Sequence, residues 1–350
     1  MDNQAAFDPN GVGIANGNIF GFPVAEENAN IVIIPVPWDA TASYGKGTSD
    51  GPKAILDAST QLDFFHPQLP NAWNTQVFMT PISEEMKRIN DELCVEAVQY
   101  ISFLEEGGVL SADSPFEEVV TRINQTSEGL RLNLKERATQ LLNQGKLVAV
   151  LGGEHSTPLG LIQALDEQGD SFGILQIDAH ADLRNAYEGF EQSHASIMYN
   201  VIDRCENVSK LVQVGIRDVA HSEVSLISAN DRITTFFDWD LKRRMFEGEN
   251  WKSIVDSILN ELPEKVYISF DIDGLLPSLC PNTGTPVVGG FDLEQINYLF
   301  FQLVASGKKI IGFDLNEVAP GSEGDWDANV GARALWNLVC AAEKSRLTNY

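Results

Sequence analysis

The sequence predicts an α/β fold, a mostly parallel sheet covered by helices on both faces, and three observations predict it. First, six short Val- and Ile-rich runs fall at residues 31–36, 147–151, 173–177, 211–215, 266–270 and 310–313. Their lack of polar alternation is that of parallel strands buried on both faces. Second, helical spacing lies between such runs. From Gly129 to Gln144 the apolar residues Leu130, Leu134, Ala138, Leu141 and Leu142 recur at helical intervals, and Gly145 offers a stop. Third, strand and helix alternate, which is the grammar of right-handed βαβ units.

Taken in order, the first 30 residues are Asn- and Gly-rich and read as an irregular arm. Residues 31–350 contain no internal repeat and no Pro/Ser-rich linker, so they read as one domain. Inside it, residues 103–128 are acidic and broken by Gly107, Gly108 and Pro115, and read as a loop excursion.

The 350 residues carry 24 Lys plus Arg against 50 Asp plus Glu, a formal charge of −26. That balance excludes a nucleic-acid binder and favours encounter with cationic ligands. No apolar run is long enough for a membrane span, and the amino terminus lacks the basic-then-apolar pattern of an export signal. Cys94, Cys205, Cys280 and Cys340 are widely spaced, as suits free thiols in a reducing cytoplasm.

Chemistry concentrates where the strands end. The run FGILQIDAHADLR sets Asp178, His180 and Asp182 at alternate positions, so an extended chain points all three one way. VYISFDIDG repeats the device with Asp271 and Asp273, and LVAVLGGEHS presents His155 after two glycines. In an open α/β sheet, ligands gather outside the carboxyl ends of the strands. Four carboxylates in one crevice repel one another unless cations neutralise them. Two divalent ions supply the compensating charge, and the oxygen-rich set favours Mn²⁺ over Zn²⁺, with Ni²⁺ and Co²⁺ as further alternatives. Such a pair makes hydroxide from water near neutral pH, so the reaction type read from these residues is hydrolysis. A single DxD or a single His is ordinarily a loop, cap or structural residue. Here they occur in combination, at the ends of three strands.

The same residues resemble a known family. GGEHS at 152–156, DAHAD at 178–182, SFDIDG at 269–274, TGTPVVGG at 283–290 and NEVAP at 316–320 are similar, in order, to motifs of the ureohydrolases, the arginases and agmatinases. The resemblance runs from about residue 30 to the carboxyl terminus. It implies a three-layer α/β/α, arginase-like fold, assembled as homotrimers or homohexamers. It also implies one manganese held by His155, Asp178, Asp182 and Asp271, and a second by Asp178, His180, Asp271 and Asp273, with Asp178 and Asp271 bridging. Glu317 matches the carboxylate that grips the substrate guanidinium. His194, in EQSHASIM, matches the proton shuttle, and Asp182 is expected to help hold the intermediate. Two positions depart from the family pattern. Glu154 stands where Asp is common, and Leu276, in DGLLP, replaces a further Asp.

The implied reaction converts a guanidino compound to urea and an amine. The loop DLRNAYEGFEQSHAS resembles the agmatinase type, and Ala220 occupies the position of the acidic residue with which arginases contact the amino group, so agmatine leads. Arg184 and Arg217 keep carboxylate-bearing substrates open: arginine, guanidinobutyrate or formimidoylglutamate. Trp38 and Tyr44 are read either as the pocket mouth or as packing residues. A degenerate guanidino-binding protein is the non-enzymatic alternative, and a phosphohydrolase is disfavoured because no phosphate cradle is evident.

Overall fold

The structure, a computed structural model, describes residues 7–322 and 324–348. Eight strands form one sheet: β1 (Ile31–Val36), β2 (Val77–Met79), β3 (Leu147–Gly152), β4 (Phe172–Ile177), β5 (Val208–Ile216), β6 (Ile233–Phe237), β7 (Lys265–Asp271) and β8 (Lys309–Asn316). Their order is β2-β1-β3-β8-β7-β4-β5-β6, and every pairing is parallel. Among the described residues ten α-helices accompany them. The first five are α1 (Gly51–Ser59), α2 (Glu84–Glu105), α3 (Glu117–Asn143), α4 (Leu159–Asp166) and α5 (Ile197–Arg204). The rest are α6 (His221–Ala229), α7 (Asp238–Phe246), α8 (Trp251–Glu261), α9 (Leu293–Ala305) and α10 (Trp326–Leu347).

Strand alternation divides the interior into two cores. Ile31 and Ile33 of β1 face one of them, with α1, α7, α8, α9 and α10, while Val32 and Ile34 face the other, with α2, α3, α4 and α5. This is the three-layer α/β/α arrangement. All six predicted strands are present, and the sheet is entirely parallel.

Two strands escaped the sequence reading. β2 has three residues and β6 reads Ile-Thr-Thr-Phe-Phe; both lie at sheet edges, where one flank is unpaired and the apolar demand is weaker. The loop excursion expected over 103–128 is corrected: only residues 106–116 separate α2 from α3. Glu117 and Glu118 occupy the first turn of α3, where acidic side chains favour the helix dipole. Val120 and Ile123 are buried, each stabilising by about 1.5–3 kcal/mol. The predicted stop holds, because Gly145 adopts a φ of 75° and its amide reaches Leu142 O.

Of the arm expected over residues 1–30, residues 1–6 lie outside the described residues. The remainder contains short 3-10 turns at Ile19–Gly21 and Glu26–Asn28, and it buries Ile19, Phe20 and Phe22. Trp38 is core, 1% exposed, whereas Tyr44 is 80% exposed.

Candidate metal centre and its cavity

The four central strands β3, β8, β7 and β4 stand side by side, and their carboxyl ends supply the expected residues. His155 follows β3, Glu317 follows β8, Asp271 closes β7 with Asp273 two residues on, and Asp178, His180 and Asp182 follow β4. Chain-distant motifs become neighbours because β8 inserts between β3 and β7.

The six candidate ligands converge. His155 Nδ1 lies 3.0 Å from Asp178 Oδ2, 2.9 Å from Asp182 Oδ2 and 3.4 Å from Asp271 Oδ2. His180 Nδ1 lies 2.9 Å from Asp273 Oδ2 and 3.7 Å from Asp178 Oδ1. Two ligand groups result, His155–Asp178–Asp271 and Asp178–His180–Asp273. Asp178 belongs to both, with one oxygen toward each histidine. Asp271 joins the first group alone; its Oδ1 accepts the Asp273 amide at 2.8 Å.

These residues fit a pair of divalent cations. His155 Nδ1 is buried yet makes no properly aimed hydrogen bond, although three carboxylates crowd it. Its other nitrogen, Nε2, lies 2.9 Å from Ser269 Oγ, which donates to Asp314 Oδ1 at 3.1 Å. That relay places the ring proton on Nε2 and leaves the Nδ1 lone pair for an ion. Separations of 2.9–3.4 Å match the edges of an octahedron, about 3 Å for metal–ligand bonds of about 2.1 Å. Oxygen and imidazole donors suit Mn²⁺-type ions.

Electrostatics point the same way. Burial lifts Asp271 well above the usual carboxylate range, and neighbouring Asp273 and Asp178 add to it. Burial, reinforced by the Asp178 charge, pushes Asp182 up to about 7. Burial also raises Asp178, but His155 and His180 outweigh it and hold that carboxyl low. Burial disfavours the His155 imidazolium, yet Asp178, Asp182 and Asp271 raise it well above its ordinary value. Without cations the site therefore holds protons in their place.

Polar side chains inside otherwise apolar strands hold the ligands. Gln176 Nε2 donates to Asp178 Oδ2 at 2.8 Å, Gln213 Nε2 to Gln176 Oε1 at 2.7 Å, and Thr235 Oγ1 to Gln213 Oε1 at 2.8 Å. The sequence reading missed Gln176, Gln213, Ser269 and Asp314. Their signal was a polar residue in a strand buried on both faces.

His194 sits beside this centre. Its Nδ1 is 3.1 Å from Thr41 O, its Nε2 is 3.0 Å from Ser43 Oγ, and its amide donates to Glu154 Oε2 at 3.1 Å. Glu154 is wholly buried and also accepts from Thr41 and Ser156. The departure from the family's usual Asp thus ties His194 to the loop bearing His155. Burial disfavours the His194 imidazolium, but Glu154, Glu317 and Asp182 raise it above its ordinary value.

Glu317 is buried and has a left-handed φ of 65°, a strained conformation of the kind that clusters at functional sites. Its Oε1 accepts the His155 amide at 2.9 Å, and its Oε2 faces Gly284, where a β-carbon would stand 3.0 Å away. Burial pushes its pKa up to about 8; His194 opposes that shift and Glu154 reinforces it. A cavity of about 160 Å³ opens beside His180, Asp182 and His194, with Ser43, Arg184 and Tyr187 on its walls. Its size suits a small substrate rather than a drug-sized ligand.

The two arginines differ. Arg217 is structural: Nε, Nη1 and Nη2 donate to the carbonyls of Val288, Gly215 and Asp273 at 3.1, 3.1 and 2.5 Å. Arg184 lines the cavity, with its guanidinium 4.5 Å from the Tyr187 ring centroid and its Nε 3.9 Å from Glu223. Leu276 is half-buried, and its amide donates to Phe291 O at 2.9 Å.

A parallel sheet that gathers four carboxylates and two imidazoles at its carboxyl edge defines a metallohydrolase-like α/β protein with a candidate dinuclear centre. The model of the arginase family matches residues 29–341, and the chain belongs to that family. It is 32% identical to the N(1)-aminopropylagmatine ureohydrolase of Thermus thermophilus over 85% of either chain. It is 30% identical to the enzyme of that name from Synechocystis, over 84% of this chain and 82% of the other. The structure of the agmatine ureohydrolase of Thermoplasma volcanium shares the fold, with a TM-score of 0.71 at 20% identity, covering 95% of this chain and 97% of that one.

Proposed function

We propose that this arginase-family ureohydrolase cleaves a guanidino-amine, with agmatine the leading substrate, to urea and an amine. The observation that carries the reading is the convergence of His155, Asp178, His180, Asp182, Asp271 and Asp273 around two ligand groups sharing Asp178. In this reading the six residues hold two Mn²⁺ ions, with Ni²⁺, Co²⁺ or Zn²⁺ as alternative occupants. When bound, divalent cations supply Lewis acidity and make water a nucleophile near neutral pH.

The chain's own residues do the rest. A guanidinium carbon is a poor electrophile because three nitrogens share its charge, so the substrate plane must be fixed. Glu317, held by the His155 amide, binds guanidinium nitrogens through charge-assisted hydrogen bonds. The departing amine must leave protonated. With Nδ1–H donated to Thr41 O, His194 turns Nε2 toward Ser43 and the cavity, and its raised pKa keeps a proton there to deliver. Asp182, at the cavity wall, helps hold the tetrahedral species.

Two features support an amine tail over a carboxylate. Arg217 has its donors on backbone carbonyls, and Arg184 already has Tyr187 and Glu223 as neighbours. The names of the relatives, which act on agmatine and aminopropylagmatine, point the same way. Residues 31–350 form the catalytic domain in this proposal, working in the cytoplasm as a homotrimer or homohexamer. The test compares kcat/KM of Mn²⁺-loaded protein for agmatine, arginine, guanidinobutyrate and formimidoylglutamate. Agmatine is expected to lead; no urea from any guanidino compound would sink the reading.

A further inference from the structure

One loop, two residues apart, meets both nitrogens of the His194 ring. Thr41 O lies 3.1 Å from Nδ1, and Ser43 Oγ lies 3.0 Å from Nε2. A carbonyl oxygen can only accept, so Nδ1 carries a proton whether the ring is neutral or charged. Nε2 therefore accepts from the Ser43 hydroxyl in the neutral ring and donates to it in the imidazolium. Tyr187 covers a further side of the imidazole, its ring at 87° and its centroid 6.0 Å away.

The loop itself is braced. The buried Asp39 carboxylate at its base accepts the amides of Gly47 at 2.8 Å and Ser49 at 3.2 Å. Lys46 Nζ donates to the carbonyls of Asp39, Ala40 and Ala42 at 3.0, 3.3 and 2.7 Å. On the far side of Ser43, the Gly45 amide donates to Gly284 O at 3.1 Å, and Gly284 faces Glu317 Oε2. Ser43 thus stands between the imidazole and the carboxylate proposed to grip the guanidinium. It is half-buried and lines the cavity together with His180, Asp182 and His194. Among the described residues no other hydrogen bond engages its hydroxyl, which leaves its remaining capacity for whatever enters the cavity.

Resting on the reading of the chain as a guanidine hydrolase, we infer that the Ser43 hydroxyl is a catalytic proton relay between His194 and the departing amine. As the C–N bond breaks, its electron pair stays with the amine nitrogen. That nitrogen takes the hydroxyl proton of Ser43, and the Nε2 proton of His194 replaces it on Oγ. The serine ends unchanged, the imidazole ends neutral with its proton on Nδ1, and no further reactant is consumed. A hydroxyl suits the position because it accepts and donates at once and its proton rotates to suit. Direct transfer from Nε2 would instead require the hydroxyl to swing away from the nitrogen it meets at 3.0 Å.

The test compares Mn²⁺-loaded wild type with Ser43→Ala and Ser43→Thr on agmatine and on an agmatine difluorinated at the carbon β to the departing nitrogen. The fluorinated product amine is less basic and needs less help from an acid. Ser43→Ala should lower kcat on agmatine about 100-fold, with KM within about threefold of wild type and bound metal unchanged. Ser43→Thr, which keeps the hydroxyl, should return kcat to within about tenfold of wild type, and the alanine loss should shrink about tenfold on the fluorinated substrate. Rates in mixtures of light and heavy water give a readout that a packing role would not move. Wild type should show a bowed dependence of kcat on deuterium fraction, with more than one proton in flight, and Ser43→Ala a straight one. Equal losses on both substrates, no loss on agmatine, Ser43→Thr as slow as Ser43→Ala, or metal lost from Ser43→Ala would each overturn the inference. If wild type releases no urea from either substrate, the reaction assignment itself falls and the relay falls with it.

Discussion

Asp178→Asn is the sharpest perturbation of the proposed centre, because Asp178 alone offers one oxygen to each ligand group. An amide cannot supply two anionic donors, so one substitution should remove both ions. The magnitude follows from linkage. At a free Mn²⁺ concentration of 100 times Kd, each ion stabilises the native state by about 2.7 kcal/mol, and two by about 5.4. For 350 residues the unfolding entropy is about 0.7 kcal/mol per kelvin, so wild type should gain about 7 °C in Tm on loading. Asp178→Asn should gain less than about 1 °C, bind no stoichiometric metal by elemental analysis, and release no urea. Each protein is its own metal-free reference, so any packing cost of the substitution cancels. Glu317→Gln is the control: it should keep the full thermal gain while turnover disappears. A variant lacking the Asp178 carboxylate that still shows a two-ion shift would refute the shared-ligand geometry.

Other consequences are equally open to measurement. Metal-free protein should lose stability as pH rises from about 4 toward 7 and 8, because Asp182 at about 7 and Glu317 at about 8 bind protons in the folded state that the unfolded chain has released. Loaded protein should lack that decline; chemical denaturation across pH, with and without chelator, checks the sign. Glu154→Gln removes the group most responsible for raising His194 and should move the alkaline limb of the kcat profile toward lower pH with bound metal unchanged. An unmoved limb would detach Glu154 from the proton-transfer step. Asp314→Asn, which disturbs the Ser269 relay behind His155, should weaken metal binding by about 10–100-fold in calorimetry. Arg217→Lys should lower stability by about 2–3 kcal/mol, read as a shift in denaturation midpoint, without altering the ratio of kcat/KM for agmatine and guanidinobutyrate. A changed ratio would return Arg217 to the list of substrate contacts.

The ligands were legible because β-structure writes its chemistry at intervals of two: DAHAD and DID need only an extended backbone to aim their side chains together. The glycines before His155 and the ordered motifs down to Glu317 added the rest. What the sequence could not display is lateral order. Nothing in LVAVLGG or IIGFDLN says that β8 lies between β3 and β7, yet that insertion brings Asp314 to Ser269 and Ser269 to His155. The supporting shell is hidden for the same reason. Gln176, Gln213 and Thr235 form a chain across β4, β5 and β6 that exists only once register is set. Read singly, each is a polar blemish in an apolar strand, and β6, with two threonines in five residues, lacks the continuous Val- and Ile-rich run that marked the others. A buried Gln or Asp in a strand covered on both faces must find a partner or destabilise the fold. Each such residue is therefore a sequence-level sign that a neighbouring strand carries its complement. Here the complements end at Asp178 and His155, so the polar residues that obscured the fold in the sequence are the ones that orient its metal ligands.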